Sequence, residues 1–174
     1  RVSQVDDKFN SNNIVQATGG NQPLWLSASQ NGLDVIDFVG GRWLRDNFAA
    51  SQAVPNSISG VMYFPNADGS RNMAWNGIGV SNRFFFEHQG DVNDTWSWFG
   101  GSNITVSDVS QVDRYNSFGS TGTQTWTGIT VGADFDAVIK WQNKIGGLII
   151  QNGTSTAQEK IDIQSYLKAK WDTP

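Results

Sequence analysis

The chain has 174 residues, a formal net charge of -4, 16% charged residues and no cysteine. The absence of cysteine excludes a disulfide framework and a thiolate zinc site. Lysine and arginine residues are scattered singly, so the sequence predicts no nucleic-acid binding, because a basic cluster is needed to meet phosphate. No apolar run approaches the ~20 residues of a membrane span, and no membrane insertion is expected. The length suits a single β domain over residues 1–174.

Short strands separated by turns are predicted along most of the chain. Apolar, β-branched and aromatic runs are bounded by Gly, Asn and Asp clusters, which are turn signals. The predicted strands are Leu33–Val39, Ser57–Phe64, Asn72–Val80, Arg83–His88, Thr95–Phe99, Ile104–Val109, Thr125–Val131, Ala137–Trp141 and Gly147–Ile150. Residues Asn10–Gly20 and Asn116–Gly122 are predicted as loops. Roughly nine to eleven short strands are typical of a two-sheet antiparallel jelly roll.

One helix is predicted, at Thr154–Trp171, after a buried strand and an Asn-Gly turn. Thr156 and Glu159 have the spacing of a capping box, in which each side chain accepts an unpaired backbone N–H of the first turn. Apolar side chains recur every four residues along one stripe, at Ile163, Leu167 and Trp171. The fold class is therefore all-β, a two-sheet antiparallel sandwich with one short C-terminal α-helix.

Three sequence blocks resemble a known family. They are Arg1–Lys8 with Gln16–Thr18, Asn31–Phe38 with Gly41–Leu44, and Ile129–Ala133 with Lys144–Ile150 and the helix end Tyr166–Trp171. In this order they are similar to the opening, central and closing motifs of LamG-like domains of the concanavalin A-like lectin/glucanase superfamily, of the bacterial or phage type. The resemblance implies a jelly roll that recognises glycans or serves as a structural module. It also implies one Ca²⁺ at the sheet rim, as in many relatives.

The chain departs from the family pattern at its beginning. Val5 stands where the family has tryptophan, and the strand that normally precedes the Arg1-Val2 segment is missing. We expect either that the chain is a fragment without this first strand or that the strand is supplied by another segment. The absence of an initial methionine favours a processed module of a larger extracellular, cell-surface or virion protein.

Catalysis is not expected from this sequence. Retaining glycoside hydrolysis needs two carboxylates about 5 Å apart. The chain has two glutamates, of which Glu159 is assigned to the helix cap and Glu87 has no acidic residue two positions later. Asp91 follows Glu87 by four positions but is assigned to a turn. His88 is the only histidine, and no nucleophile motif surrounds it. The chain is predicted not to be an enzyme, with no catalytic residue, and a glycoside hydrolase is the least favoured alternative.

Calcium is the one metal that the acidic loops favour, because hard cations prefer clustered carboxylates and carbonyls. Asp134 and Asp136 provide two carboxylates in one loop and are the candidate metal ligands. Asp91 with Asp94, and Asp6-Asp7, are further acidic pairs, and none matches an EF-hand. The alternative is that these aspartates are solvated turn residues, in which case the protein needs no cofactor.

The eight tryptophans are the strongest indication of binding. An indole ring stacks on the apolar face of a sugar, and neighbouring amides can hydrogen-bond its hydroxyls. Trp171 is assigned to the helix stripe, and Trp25 and Trp43 to blocks that pack. The candidate ligand-binding residues are Trp75, Trp96, Trp98, Trp126, Trp141 and Asn143. The alternative is that the rings fill a wide core or an interface.

Two functional hypotheses follow. In the first, the chain is a non-catalytic recognition or adhesion module that binds a glycan or cell-surface polysaccharide. In the second, it is a virion structural domain, a capsid decoration or fibre piece, that binds neighbouring subunits of its assembly. An exposed aromatic row on a sheet favours the first, and flat apolar patches favour the second.

Overall fold

The computed structural model describes residues 1–7, 12–52, 56–64, 72–78, 85–88, 96–99, 103–106, 114–122, 126–134, 136–153 and 155–173. Within these ranges the description is of the backbone alone at 49–52, 56–58, 64, 72, 85–88, 96–99, 103–106, 114–122, 126 and 152.

The described residues form two antiparallel β-sheets and one α-helix. In spatial order the large sheet consists of β1 (Gln4–Val5), β2 (Ile14–Val15), β5 (Leu44–Gln52), β12 (Trp126–Val131), β7 (Asn72–Ile78), β8 (Phe85–His88), β9 (Trp96–Phe99) and β10 (Asn103–Val106). The small sheet consists of β11 (Arg114–Gly122), β6 (Asn56–Phe64), β13 (Lys144–Asn152), β4 (Leu33–Asp37) and β3 (Leu24–Gln30). The helix α1 spans Ala157–Trp171.

The main hydrophobic core joins the two sheets. Leu44, Trp75 and Val131 of the large sheet cluster with Met62 and Ile145 of the small sheet, and all of them are buried. Burial of apolar side chains from both sheets in one cluster is the main stabilising contribution expected for two layers of this kind. The sheets therefore have inner faces that meet at this core and outer faces that point away from it.

The helix packs on the outer face of the small sheet. Leu167 and Trp171 form a second cluster with Val35 of β4 and Val61 of β6, as the predicted apolar stripe requires. The capping box is also confirmed, since Thr156 Oγ1 accepts from the Glu159 N–H and the Glu159 carboxylate accepts from the Thr156 N–H. Thr156 is therefore the N-cap, and the helix begins three residues after the predicted start.

The turn between β3 and β4 holds the other end of the helix. Asn31 and Gly32 both have positive φ angles, of 47° and 72°, as in the tight turn that suits a two-residue hairpin. The Gln30 side chain donates to the Trp171 carbonyl at 2.6 Å, and the Asn31 side chain donates to the Lys170 carbonyl at 2.9 Å. These bonds satisfy carbonyls that have no partner within the helix.

The structure confirms a mostly β chain with two antiparallel sheets and a C-terminal helix, and it corrects several boundaries. Asn116–Gly122 was predicted as a loop but lies in strand β11, and β2 interrupts the predicted loop Asn10–Gly20. Ala137–Trp141 was predicted as a strand but is a loop whose only pairing is an isolated bridge between Lys140 and Ala133. The described part of the chain contains no helix that is long and apolar enough to cross a membrane.

Candidate functional site

Trp75 and Trp141 are core residues, and their prediction as ligand platforms is wrong. Both side chains have 0% exposure and both belong to the main core cluster. Asn76, the polar neighbour of Trp75 on β7, points away from the core, because successive side chains of a strand face opposite ways. Gln142, next to the buried Trp141, is exposed to solvent. Polar residues next to a tryptophan in the sequence therefore did not indicate polar groups around its ring.

The remaining predicted ligand residues lie in or next to strands of both sheets. Trp96 and Trp98 lie in β9, and Trp126 begins β12, but their side chains lie outside the described part of the structure. In the backbone register Trp98 pairs with Phe86, which in turn pairs with Trp75. Asn143 precedes β13, is half-buried, and its carbonyl accepts from the Phe38 N–H. Their roles in binding stay predictions.

Two tryptophans that were assigned to packing are in contact with solvent. Trp25 is 56% exposed on β3, the edge strand of the small sheet, so its assignment to a packed block is wrong. Trp43 is half-buried and immediately precedes β5. The backbone N–H of Trp43 donates to the Asn21 carbonyl at 3.1 Å, and the Trp43 backbone carbonyl accepts from the Gln16 side chain at 3.3 Å. These bonds hold the backbone that carries the Trp43 ring.

A polar row crosses the outer face of the large sheet beside Trp43. The register pairs Val15 with Arg45, Arg45 with Thr130, and Thr130 with Asn76. Directly opposed residues of antiparallel strands share a face. The adjacent row of Leu44, Val131 and Trp75 faces the core, so the row of Arg45, Thr130 and Asn76 faces away from it.

The side chains of this row contact one another. Arg45 Nε donates to Thr130 Oγ1 at 3.0 Å, and the Arg45 guanidinium carbon lies 5.0 Å from the centroid of the Trp43 ring. A guanidinium at this distance from an indole is attracted by the ring quadrupole. We name Trp43, Arg45, Thr130 and Asn76 the Trp43–Arg45 face. Its aromatic and cationic members are half-buried, so part of each remains open to solvent.

Asn76 is the unusual member of this face. Its side chain has 0% exposure, and neither its amide oxygen nor its amide nitrogen has a hydrogen-bond partner in the described structure. Leaving a buried polar group unpaired costs about 1–3 kcal/mol. Such groups in native proteins coincide with bound water, ligand contacts or strain. Asn76, Arg45 and Thr130 were not among the predicted binding residues, because the pairing of their three strands is not local.

The candidate calcium ligands Asp134 and Asp136 lie together in the loop after β12. Asp134 is 4% exposed, and its Oδ1 accepts from the backbone N–H groups of Val138 at 2.7 Å and Ile139 at 3.1 Å. Burial raises the pKa of Asp134, and the neighbouring Asp136 carboxyl raises it further, while the two backbone N–H groups lower it. Asp134 Oδ1 therefore holds the loop together through these two hydrogen bonds.

The acidic residues of the described chain do not gather into larger clusters. No group of three or more His, Asp or Glu side chains that could hold a metal ion occurs among the described residues. The pairs Asp134–Asp136 and Asp6–Asp7 alone provide fewer carboxylates than typical calcium sites use. Calcium binding at Asp134 and Asp136 stays a prediction. The pair Asp91 and Asp94 lies outside the described residues.

Glu159 has the structural role that its spacing predicted. Hydrogen bonds from the backbone and side chain of Thr156 lower the pKa of its carboxyl. The side chains of Glu87 and His88 lie outside the described part.

Comparison with protein-family models and with curated proteins finds no match for this chain. The function is therefore argued from the geometry of the Trp43–Arg45 face and from the composition of the chain.

Proposed function

We propose that the chain is a non-catalytic carbohydrate-recognition module that binds a glycan or cell-surface polysaccharide on the Trp43–Arg45 face. The observation that carries the proposal is the cation–ring stack of Arg45 on Trp43, joined by a hydrogen bond to Thr130. The same row contains the buried amide of Asn76, which has no partner among the described residues. In this proposal the two sheets form a LamG-like jelly roll that belongs to a larger extracellular or virion-surface protein.

The chemistry of this face suits a sugar. A sugar ring combines an apolar face, which stacks on an indole, with hydroxyls that accept from Arg45. Thr130 has 0% exposure and acts by holding Arg45 in place. The Arg45 guanidinium is already fixed by Trp43 and Thr130, so less side-chain entropy is lost on binding. A catalytic role needs a positioned carboxylate pair, and the glutamate of α1 is engaged in its cap.

A glycan array tests the proposal, with the matched variants Arg45→Gln and Lys144→Gln. Both residues place a cation over an aromatic ring, Arg45 at 5.0 Å from Trp43 and Lys144 at 5.1 Å from Tyr63, but they lie on different sheets. We expect the wild type to bind a defined set of glycans. Arg45→Gln should weaken that binding about tenfold, the loss of roughly 1.4 kcal/mol of contacts, and Lys144→Gln should not change it.

The array repeated with calcium and with a chelator separates two forms of the proposal. Binding that requires calcium and is lost in Asp134→Asn would place a metal in the site. Glycan binding that is unchanged by the chelator would show that the protein side chains bind the glycan without a metal ion. Failure of every glycan to bind, with folded protein, would contradict the proposal.

The second candidate is a structural domain of a virion or another assembly. Several large apolar side chains outside the core favour it, in particular Val138 at 74%, Ile161 at 57% and Trp25 at 56% exposure. Apolar and aromatic side chains are common contact residues in the cores of protein interfaces. Concentration-dependent self-association in light scattering, weakened by Val138→Ser and unaffected by glycans, would favour this function over carbohydrate recognition.

A further inference from the structure

A cavity of about 600 Å³ lies between the two sheets. Its walls are apolar, with Leu44, Phe48 and Ile129 on the large sheet and Ile36 and Leu148 on the small sheet. Protein interiors are close-packed and leave few voids larger than a water molecule. A cavity of this volume falls within the range of about 300–1,000 Å³ found for small-molecule sites.

The cavity opens to solvent beside a carboxylate. Of the described residues that line it, only Asp6 and Ile150 are exposed, and Ile150 is 41% exposed. Asp7 also lines it and is half-buried. Gln4 donates to Asp6 Oδ1 at 2.6 Å, and the Asp7 N–H donates to the Asn13 side chain at 2.9 Å. These bonds hold the Asp6-Asp7 segment at the mouth of the cavity.

The described residues at this mouth carry negative charge. The described residues that line the cavity include the two aspartates and no lysine or arginine. A third carboxyl, Asp46, lies near Asp7 and pairs in register with Ile129, whose side chain belongs to the core. Burial raises the pKa of Asp46, and the charge of Asp7 raises it further, as expected where carboxylates accumulate at low solvent exposure.

We propose that this cavity binds a single-chain cationic amphiphile, with its alkyl chain between the sheets and its ammonium group at Asp6 and Asp7. The apolar walls provide the surface that removes an alkyl chain from water. The carboxylates at the mouth attract a cation and repel an anion of the same length. This site is separate from the Trp43–Arg45 face, because it lies on the inner side of the large sheet.

Calorimetric titration of the full chain with decylammonium and with decanoate, each below its micelle concentration, tests the proposal at neutral pH. The two probes share a similar alkyl chain and differ in the sign of the head group. We expect decylammonium to bind one molecule per chain and decanoate to bind at least about tenfold more weakly, because its charge faces Asp6 and Asp7.

Two matched pairs of variants locate the binding. Ile150→Trp places a larger side chain at the mouth and should weaken decylammonium binding about tenfold or more, whereas Ile161→Trp, a similarly exposed position on α1, should have no effect. Asp6→Asn should reduce the preference for decylammonium over decanoate. Asp162→Asn, an exposed helix residue that does not line the cavity, should leave the preference unchanged.

Absence of saturable decylammonium binding would overturn the proposal. Equal binding of the two probes, or equal binding by wild type and a folded Ile150→Trp variant, would overturn it as well. If Ile150→Trp does not fold, the exposed Asp6→Asn substitution decides the result. Arg45→Gln should leave amine binding unchanged, so failure here is distinguishable from failure of the glycan proposal.

Discussion

A Cβ atom at Gly146 would lie 2.7 Å from the Trp171 ring, whereas one at Gly147 would lie 3.9 Å from it. The first distance is shorter than any normal contact, and the second is ordinary van der Waals contact. Gly146 therefore lets the indole of the last helical turn lie directly against β13. A side chain at this one position would move the ring or the strand.

We expect Gly146→Ala to lower the free energy of unfolding by about 1–3 kcal/mol, the usual cost of overpacking a rigid contact. Gly147→Ala is the control and should change it by no more than about 0.5 kcal/mol. Urea unfolding followed by tryptophan fluorescence measures both. Equal effects of the two substitutions would contradict the role assigned to Gly146.

Asp134 gives a prediction about pH. Its pKa in the folded chain is raised above the ordinary value of 3.8, so the folded state binds this proton more tightly than the unfolded state. The resulting stability is fully present below pH 3.8 and is lost as the pH rises through the raised pKa. Asp134→Asn keeps an oxygen for both backbone N–H groups and has no charge beside Asp136.

The stability of Asp134→Asn relative to wild type should therefore increase as the pH rises from acidic to neutral. Asp134→Ala removes both hydrogen bonds and should be destabilised by about 1–3 kcal/mol at neutral pH. Thermal unfolding across the pH range, in the presence of a chelator, measures these differences. A pH-independent difference between Asp134→Asn and wild type would show that the raised pKa does not act on stability.

At the level of elements, the helix cap is the clearest case for substitution. Thr156→Ala should lower stability by about 1 kcal/mol, while Thr156→Ser keeps the hydroxyl and should lower it less. Circular dichroism during thermal unfolding measures the loss of stability.

The hydrogen bonds that lower the pKa of Glu159 stabilise the folded chain at pH values above 4.5, the ordinary pKa of this carboxyl. This stability is lost as the pH falls through the lowered pKa. Glu159→Gln should therefore reduce the acid sensitivity of the helix.

The helix was predictable because its signals are local. The cap spacing of Thr156 and Glu159 and the four-residue recurrence of Leu167 and Trp171 lie within one short segment. Strand β11 was not predictable in the same way. Its sequence from Asn116 to Gly122 is rich in Ser, Gly and Thr, and it is a strand because it pairs with β6 over nine positions. Long-range pairing overrode local propensity there.

At the scale of the molecule, composition and strand count predicted a mostly β chain with two antiparallel sheets, which the described residues form, but they could not assign side chains to faces. Trp75 and Asn76 are neighbours in sequence, and the sheet places the ring in the core and the amide on the outer face. Trp75 was therefore predicted as a binding residue although its ring lies in the core. The candidate Trp43–Arg45 face depends on β5, β12 and β7 lying side by side, and nothing in the local sequence specifies that order.

The hydrogen bonds from Gln30 and Asn31 to the end of α1 join residues more than a hundred positions apart in the chain. Contacts of such long range form late and slow the folding of a domain. During synthesis on the ribosome, the outer side of β4 and β6 can be covered only after Trp171 has emerged. Until then their apolar residues are available to chaperones and to other nascent chains, so completion of the helix removes one aggregation-prone surface from the newly made chain.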